Sequence, residues 1–120
     1  MLRMPIDRFE AAVVEAIESI PEDILEHLEN IAITVDDEPS AEELEELGMA
    51  EDDLLFGLYQ GVPLTERGAI PQGELPDRIV IYRLPLLEAC TNRRELMREI
   101  RDTVIHEVGH YFGFDEHELP

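Results

Sequence analysis

Apolar positions in the first twenty residues recur at helical steps. Phe9, Val13, Ile17 and Ile20 follow one another at intervals of four, four and three. That spacing stacks them on one face and predicts an amphipathic helix over residues 5–20. Pro21 cannot continue it but suits the first turn of a second helix. Residues 21–29 therefore read as a short helix with Ile24, Leu25 and Leu28 inward and His27 on the surface. The period then changes. Residues 31–35 form a β-branched run and predict a strand. Ser40 and Glu43 stand three apart, the pattern of a capping box, before a helix over 41–47 that Gly48 would end.

Residues 54–59 read as a second strand. Gly57 inside it marks a bulge or a close approach of another backbone. Gly61, Val62 and Pro63 turn the chain, and Gly68, Pro71, Gly73 and Pro76 make 65–77 a loop. The strongest strand signal is 77–84, with Pro85 as its expected end. Asn92 and Glu95 repeat the capping pattern before a long helix over 93–112. Leu96, Ile100, Val104, Val108 and Tyr111 share its apolar side, and Gly113 would close it.

The 120 residues fit one domain, 1–120, with a single core, without repeats or low-complexity tracts. Asp plus Glu number 29 against 9 arginines and no lysine, a formal charge of −20. Such a field repels phosphate backbones and anionic membrane surfaces, so neither nucleic acid nor a membrane is an expected partner. Much of the acid lies in 36–53 and reads as a solvated surface. The single cysteine, Cys90, precludes an internal disulfide and reads as a small buried apolar residue. No apolar run approaches a membrane span or a signal peptide. The expectation is a cytoplasmic monomer.

The chemistry sits on the last helix. His106-Glu107-Val108-Gly109-His110 places two histidines four apart, one turn above each other on one face. Two neutral imidazoles so stacked can hold one Zn²⁺. Glu107, three before His110, projects to the same side and is placed to take a proton from a water rather than to ligate. A hydrolytic zinc site usually has three protein ligands and an open position. Glu116, three residues past Gly113, is the leading third ligand, with His117 and Asp115 as alternatives. Tyr82 and Tyr111 could stabilise an oxyanion, although packing with a polar tip is the simpler reading. Arg67 and Arg78 could pair with carboxylates.

Three stretches carry a resemblance: residues 58–67, residues 75–79, and His106 through Glu116. In these the chain resembles the small bacterial family of zincin-like metallopeptidases, across roughly residues 5–118. The last stretch is also similar to the extended metzincin motif. There the final ligand is usually His; the small family tends to have Asp, and this chain has Glu116. The resemblance implies an α+β, minimal zincin-like fold: a small sheet of about three strands packed on helices, with a C-terminal metal-binding helix. It implies a zinc-dependent metallopeptidase acting on a peptide or unfolded protein. The competing reading is a catalytically silent, peptide- or protein-binding module of the same shape. The strand at 54–59 and the turn at 61–67 could supply an edge for an extended substrate, although an ordinary strand and turn is the simpler reading.

Overall fold

In the computed structural model, which describes residues 1–50, 52–61 and 77–111, the N-terminal stripe folds as its spacing predicts. Helix α1, Ile6–Glu18, buries Phe9, Ala12, Val13 and Ala16, and Ile17 packs at the margin of the same core. Helix α2, Glu22–Leu25, runs into a 3₁₀ turn, Glu26–Leu28, that buries Leu28 and leaves His27 exposed. Strand β1, Ala32–Asp36, follows. Helix α3, Ala41–Glu46, carries the full capping box: the Glu43 N–H donates to Ser40 Oγ and the Ser40 N–H to Glu43 Oε1, both at 3.0 Å. Gly48, at φ +72°, ends it as expected.

Two further strands, β2 at Gly57–Gln60 and β3 at Arg78–Tyr82, join β1, and among the described residues the mixed sheet has the order β1-β3-β2. β1 runs parallel to β3, with Ala32 opposite Arg78, and β2 runs antiparallel, with Gly57 opposite Ile81. β2 starts three residues later than the pattern at 54–59 suggests. The cause is its partner. β3 stops at Tyr82, whose N–H donates to the Phe56 carbonyl at 2.9 Å, so residues 54 and 55 have no strand to pair with.

Pro85 does not end β3. The strand stops at Tyr82, and Arg83–Ala89 form helix α4. Pro85 sits in its first turn, where the missing N–H has no helical acceptor to lose. Pro85, Leu86 and Leu87 are buried, and the Leu2 N–H ties the N-terminus to the carbonyls of Leu87 (2.9 Å) and Cys90 (3.1 Å). Cys90 is buried in the core as expected, and desolvation, then the charges of Glu99 and Glu95, push its thiol pKa up.

Helix α5, Arg93–Tyr111, crosses the sheet beside α1. Leu96, Ile100, Val104 and Val108 are all buried, so the predicted apolar side is the packed one. Asn92 Oδ1 accepts the Glu95 N–H at 2.9 Å. Glu95 does not return to the Asn92 N–H; it accepts from the Thr91 N–H at 3.2 Å and the Thr91 hydroxyl. Asn92→Ala should cost about 1 kcal/mol, read as a lower midpoint in urea unfolding with unchanged slope.

The sheet's two faces differ. Ile79 and Ile81, with Ile33 and Val35, join the core under α1 and α5. Val80 and Tyr82 alternate to the other face. There the Tyr82 hydroxyl donates to Glu43 Oε2 at 2.8 Å, Gln60 Nε2 donates to the same oxygen at 3.1 Å, and Arg78 Nε donates to Gln60 Oε1 at 2.6 Å. Tyr82 is thus a packing residue with an anchored tip, and Arg78 reaches an amide rather than a carboxylate. Burial, then Glu43, raises the Tyr82 pKa. The Ser40 N–H is the main reason the Glu43 carboxyl lies below its ordinary 4.5. A depressed acid stabilises the fold above its unfolded value and loses that contribution as pH falls through the folded one. Stability should therefore drop below about pH 4.5, and Glu43→Gln should flatten that part of a pH–melting curve.

On this face the Thr34 hydroxyl is buried without a hydrogen-bond partner among the described residues. Valine keeps the shape and removes the unpaired group, so Thr34→Val should raise stability by about 1 kcal/mol, measured by urea unfolding.

Candidate metal centre

His106, Glu107 and His110 lie near the C-terminal end of α5, on the side facing β2. One helical turn brings the two imidazoles together. Their ring centroids are 5.0 Å apart and their planes meet at 68°. Potential ligand atoms of all three residues lie within 4.8 Å of one another. Glu107 is buried, while both histidines are half-buried. His106 and Glu107 border a cleft of about 600 Å³ between α5 and the chain entering β2, which Phe56, Gly57 and Thr103 also line.

The tertiary structure adds a contact that spacing alone does not disclose. The Tyr59 backbone N–H donates to Glu107 Oε1 at 2.6 Å. The ladder explains why that group is available. Phe56 bonds Tyr82 on β3, so Phe56, Leu58 and Gln60 turn their backbone groups toward β3, and Gly57 and Tyr59 turn theirs outward. With Oε1 held, Glu107 Oε2 faces His110 Nε2 at 3.9 Å. The carboxylate is thereby oriented toward the histidine pair.

Two glycines permit this approach. A Cβ at Gly57 would stand 2.5 Å from Thr103 Cγ2 and 3.1 Å from the Val80 carbonyl. This is the close approach that a glycine inside a strand pattern signals. At the other end of β2, Gly61 has φ +151°, and a Cβ there would meet Asp77 Oδ1 and the Tyr59 hydroxyl. That hydroxyl donates to Asp77 Oδ1 at 2.8 Å and ties β2 to the start of β3. Gly61→Ala should loosen this end of β2, read as faster exchange of the Tyr59 amide proton.

The donor set suits a divalent metal of the zinc class: two imidazoles on one helical face with a carboxylate alongside. His106 and His110 would hold the ion, with Glu107 beside it. The predicted third ligand, Glu116, and its alternatives Asp115 and His117 lie outside the described residues, as do Gly113, Arg67 and the turn at 62–67. The side chain of Tyr111 also lies outside them. The Tyr59 N–H was not foreseeable from residue type, since every residue except proline carries one. The only hint was Gly57, which pointed to backbone proximity without naming the partner.

Among the described residues no helix is long and apolar enough to cross a membrane. A conserved hypothetical protein from Thermus thermophilus has a similar fold, with a TM-score of 0.57 at 19% identity, covering 91% of this chain and 94% of that one. No curated protein matches the chain. A family model described as zincin-like metallopeptidase matches residues 28–120, a span that includes β1 to β3 and the whole of α5. With three strands and a long last helix among the described residues, and two imidazoles gathered on one turn of that helix, the chain belongs to the zincin-like metallopeptidase family.

Proposed function

We propose that this protein is a zinc-dependent peptidase that hydrolyses peptide bonds in an extended peptide or an unfolded protein. One observation carries the reading: two imidazoles share a helical turn with a buried carboxylate whose Oε2 faces His110, at the edge of an open cleft. In this reading His106, His110 and Glu116 hold the metal. When bound, zinc would acidify a water and polarise the scissile carbonyl. Glu107 takes the proton from that water, using Oε2 while the Tyr59 N–H keeps Oε1 in place. The chain entering β2, Leu55 to Gly57, lines the cleft and is the segment along which a peptide can lie beside the histidines. A formal charge of −20 favours basic peptides and disfavours nucleic acid. The protein acts as a monomer in the cytoplasm.

The test is cleavage of an unbiased peptide library by the zinc-loaded chain, followed by mass spectrometry. Discrete products that vanish in the Glu107→Gln variant would support hydrolysis. If neither form yields products although zinc binds stoichiometrically, the chain is a silent binding module. If zinc raises neither metal content nor melting temperature, the metal-dependent reading is wrong.

A further inference from the structure

The sheet has a second edge, remote from α5's histidines. Among the described residues, β1 borders β3 on one side only, and β3 separates it from β2. Two strand spacings, about 10 Å, divide the two edges. The Ala32 N–H donates to the Asp77 carbonyl at 3.2 Å, so Ala32, Thr34 and Asp36 turn their backbone groups toward β3. Ile33 and Val35 therefore direct their N–H and C=O groups outward.

Beside this edge runs a groove of about 400 Å³ between β1 and α1. Val13, Val14, Ile17, Ile33 and Val35 make it apolar, and Glu10 enters its wall. Val14 is 56% exposed, an unusual position for a valine on an otherwise amphipathic helix. The edge lacks common protections against strand addition: Ile33-Thr34-Val35 contains no proline, and the chain contains no lysine.

We propose that the β1 edge and this groove receive an extended, cationic peptide segment as a fourth strand, at a site separate from the metal centre. Backbone bonds to Ile33 and Val35 align the segment, and alternate apolar side chains enter the groove against Val14 and Ile17. Charge decides the occupant. Asp7 and Glu10 lie on the groove side of α1, two turns and one turn before Val14, with Glu18 and Asp36 at the ends of the helix and strand, and all four are exposed. A second copy of a chain carrying −20 would bring like charges together at that rim. Basic side chains flanking the apolar set at the segment's ends pair with the rim while the apolar set is buried.

The experiment uses the purified full chain and a fluorescent peptide with a core of alternating valine and threonine flanked by arginines at both ends, followed by anisotropy. The expected result is saturable binding that survives Glu107→Gln. Val14→Arg, on an exposed helix position, should weaken it about tenfold or more. A peptide N-methylated on its edge-facing amides keeps the charge and loses the backbone bonds, and should weaken by a similar factor. Amide chemical-shift changes should centre on residues 33–35. The proposal is overturned if methylation leaves affinity unchanged, since charge attraction alone then accounts for binding. It is equally overturned if the shifts centre on β2, if no peptide binds, or if sedimentation shows a dimer that Val14→Arg abolishes, which makes a second copy the occupant.

Discussion

Glu107→Gln should lower peptide cleavage by about 10²–10⁴-fold while leaving zinc content and melting temperature close to those of the parent chain. The substitution isolates one property. An amide oxygen can still accept the Tyr59 N–H that now meets Oε1 at 2.6 Å, so the side chain keeps its place against β2. The amide cannot take a proton from water at neutral pH. The Tyr59 amide resonance should therefore move little while turnover collapses. His106→Ala and His110→Ala should behave oppositely, losing stoichiometric zinc in a metal titration, because each removes one of the two imidazoles that share the turn. Cleavage by Glu107→Gln within about threefold of the parent would show that the proton goes elsewhere.

Gly57→Ala should destabilise the fold by about 1–3 kcal/mol and impair the same site from the other side. The added Cβ would lie 2.5 Å from Thr103 Cγ2 and 3.1 Å from the Val80 carbonyl. Neither neighbour can yield freely. Val80 belongs to the central strand, and Thr103 lies on α5 one turn before Glu107. If α5 retreats to make room, Glu107 moves away from the Tyr59 N–H. Urea unfolding should report the lost stability, and amide exchange at Tyr59 should accelerate. Thr103→Ser removes the methyl that collides. Combined with Gly57→Ala it should restore part of the loss, with a coupling of about 0.5 kcal/mol or more. A neutral Gly57→Ala, or strictly additive effects, would mean that β2 and α5 do not touch there.

How much of this was legible beforehand depended on the kind of interaction. Local devices were. The Ser40–Glu43 box, the Gly48 stop and the Asn92 cap use side chains three residues apart, or a backbone angle that one residue type tolerates. Helix α4 escaped because Pro85 reads as a breaker, yet at the third helical position its ring and missing N–H are harmless. The start of β2 escaped for a different reason. A strand ends where its neighbour ends, and Tyr82 determines that through space.

The residues alone determined which groups can do chemistry: an α-helical period places His106, Glu107 and His110 on one turn whatever surrounds them. They also determined the face α5 buries, through Leu96, Ile100, Val104 and Val108. Only the tertiary structure decided which way Glu107 points, because its partner is a main-chain N–H forty-eight residues away in sequence. Side-chain identity is written locally and repeats with the helical period, whereas an outward-facing amide becomes available through strand order and register, which long-range pairing sets.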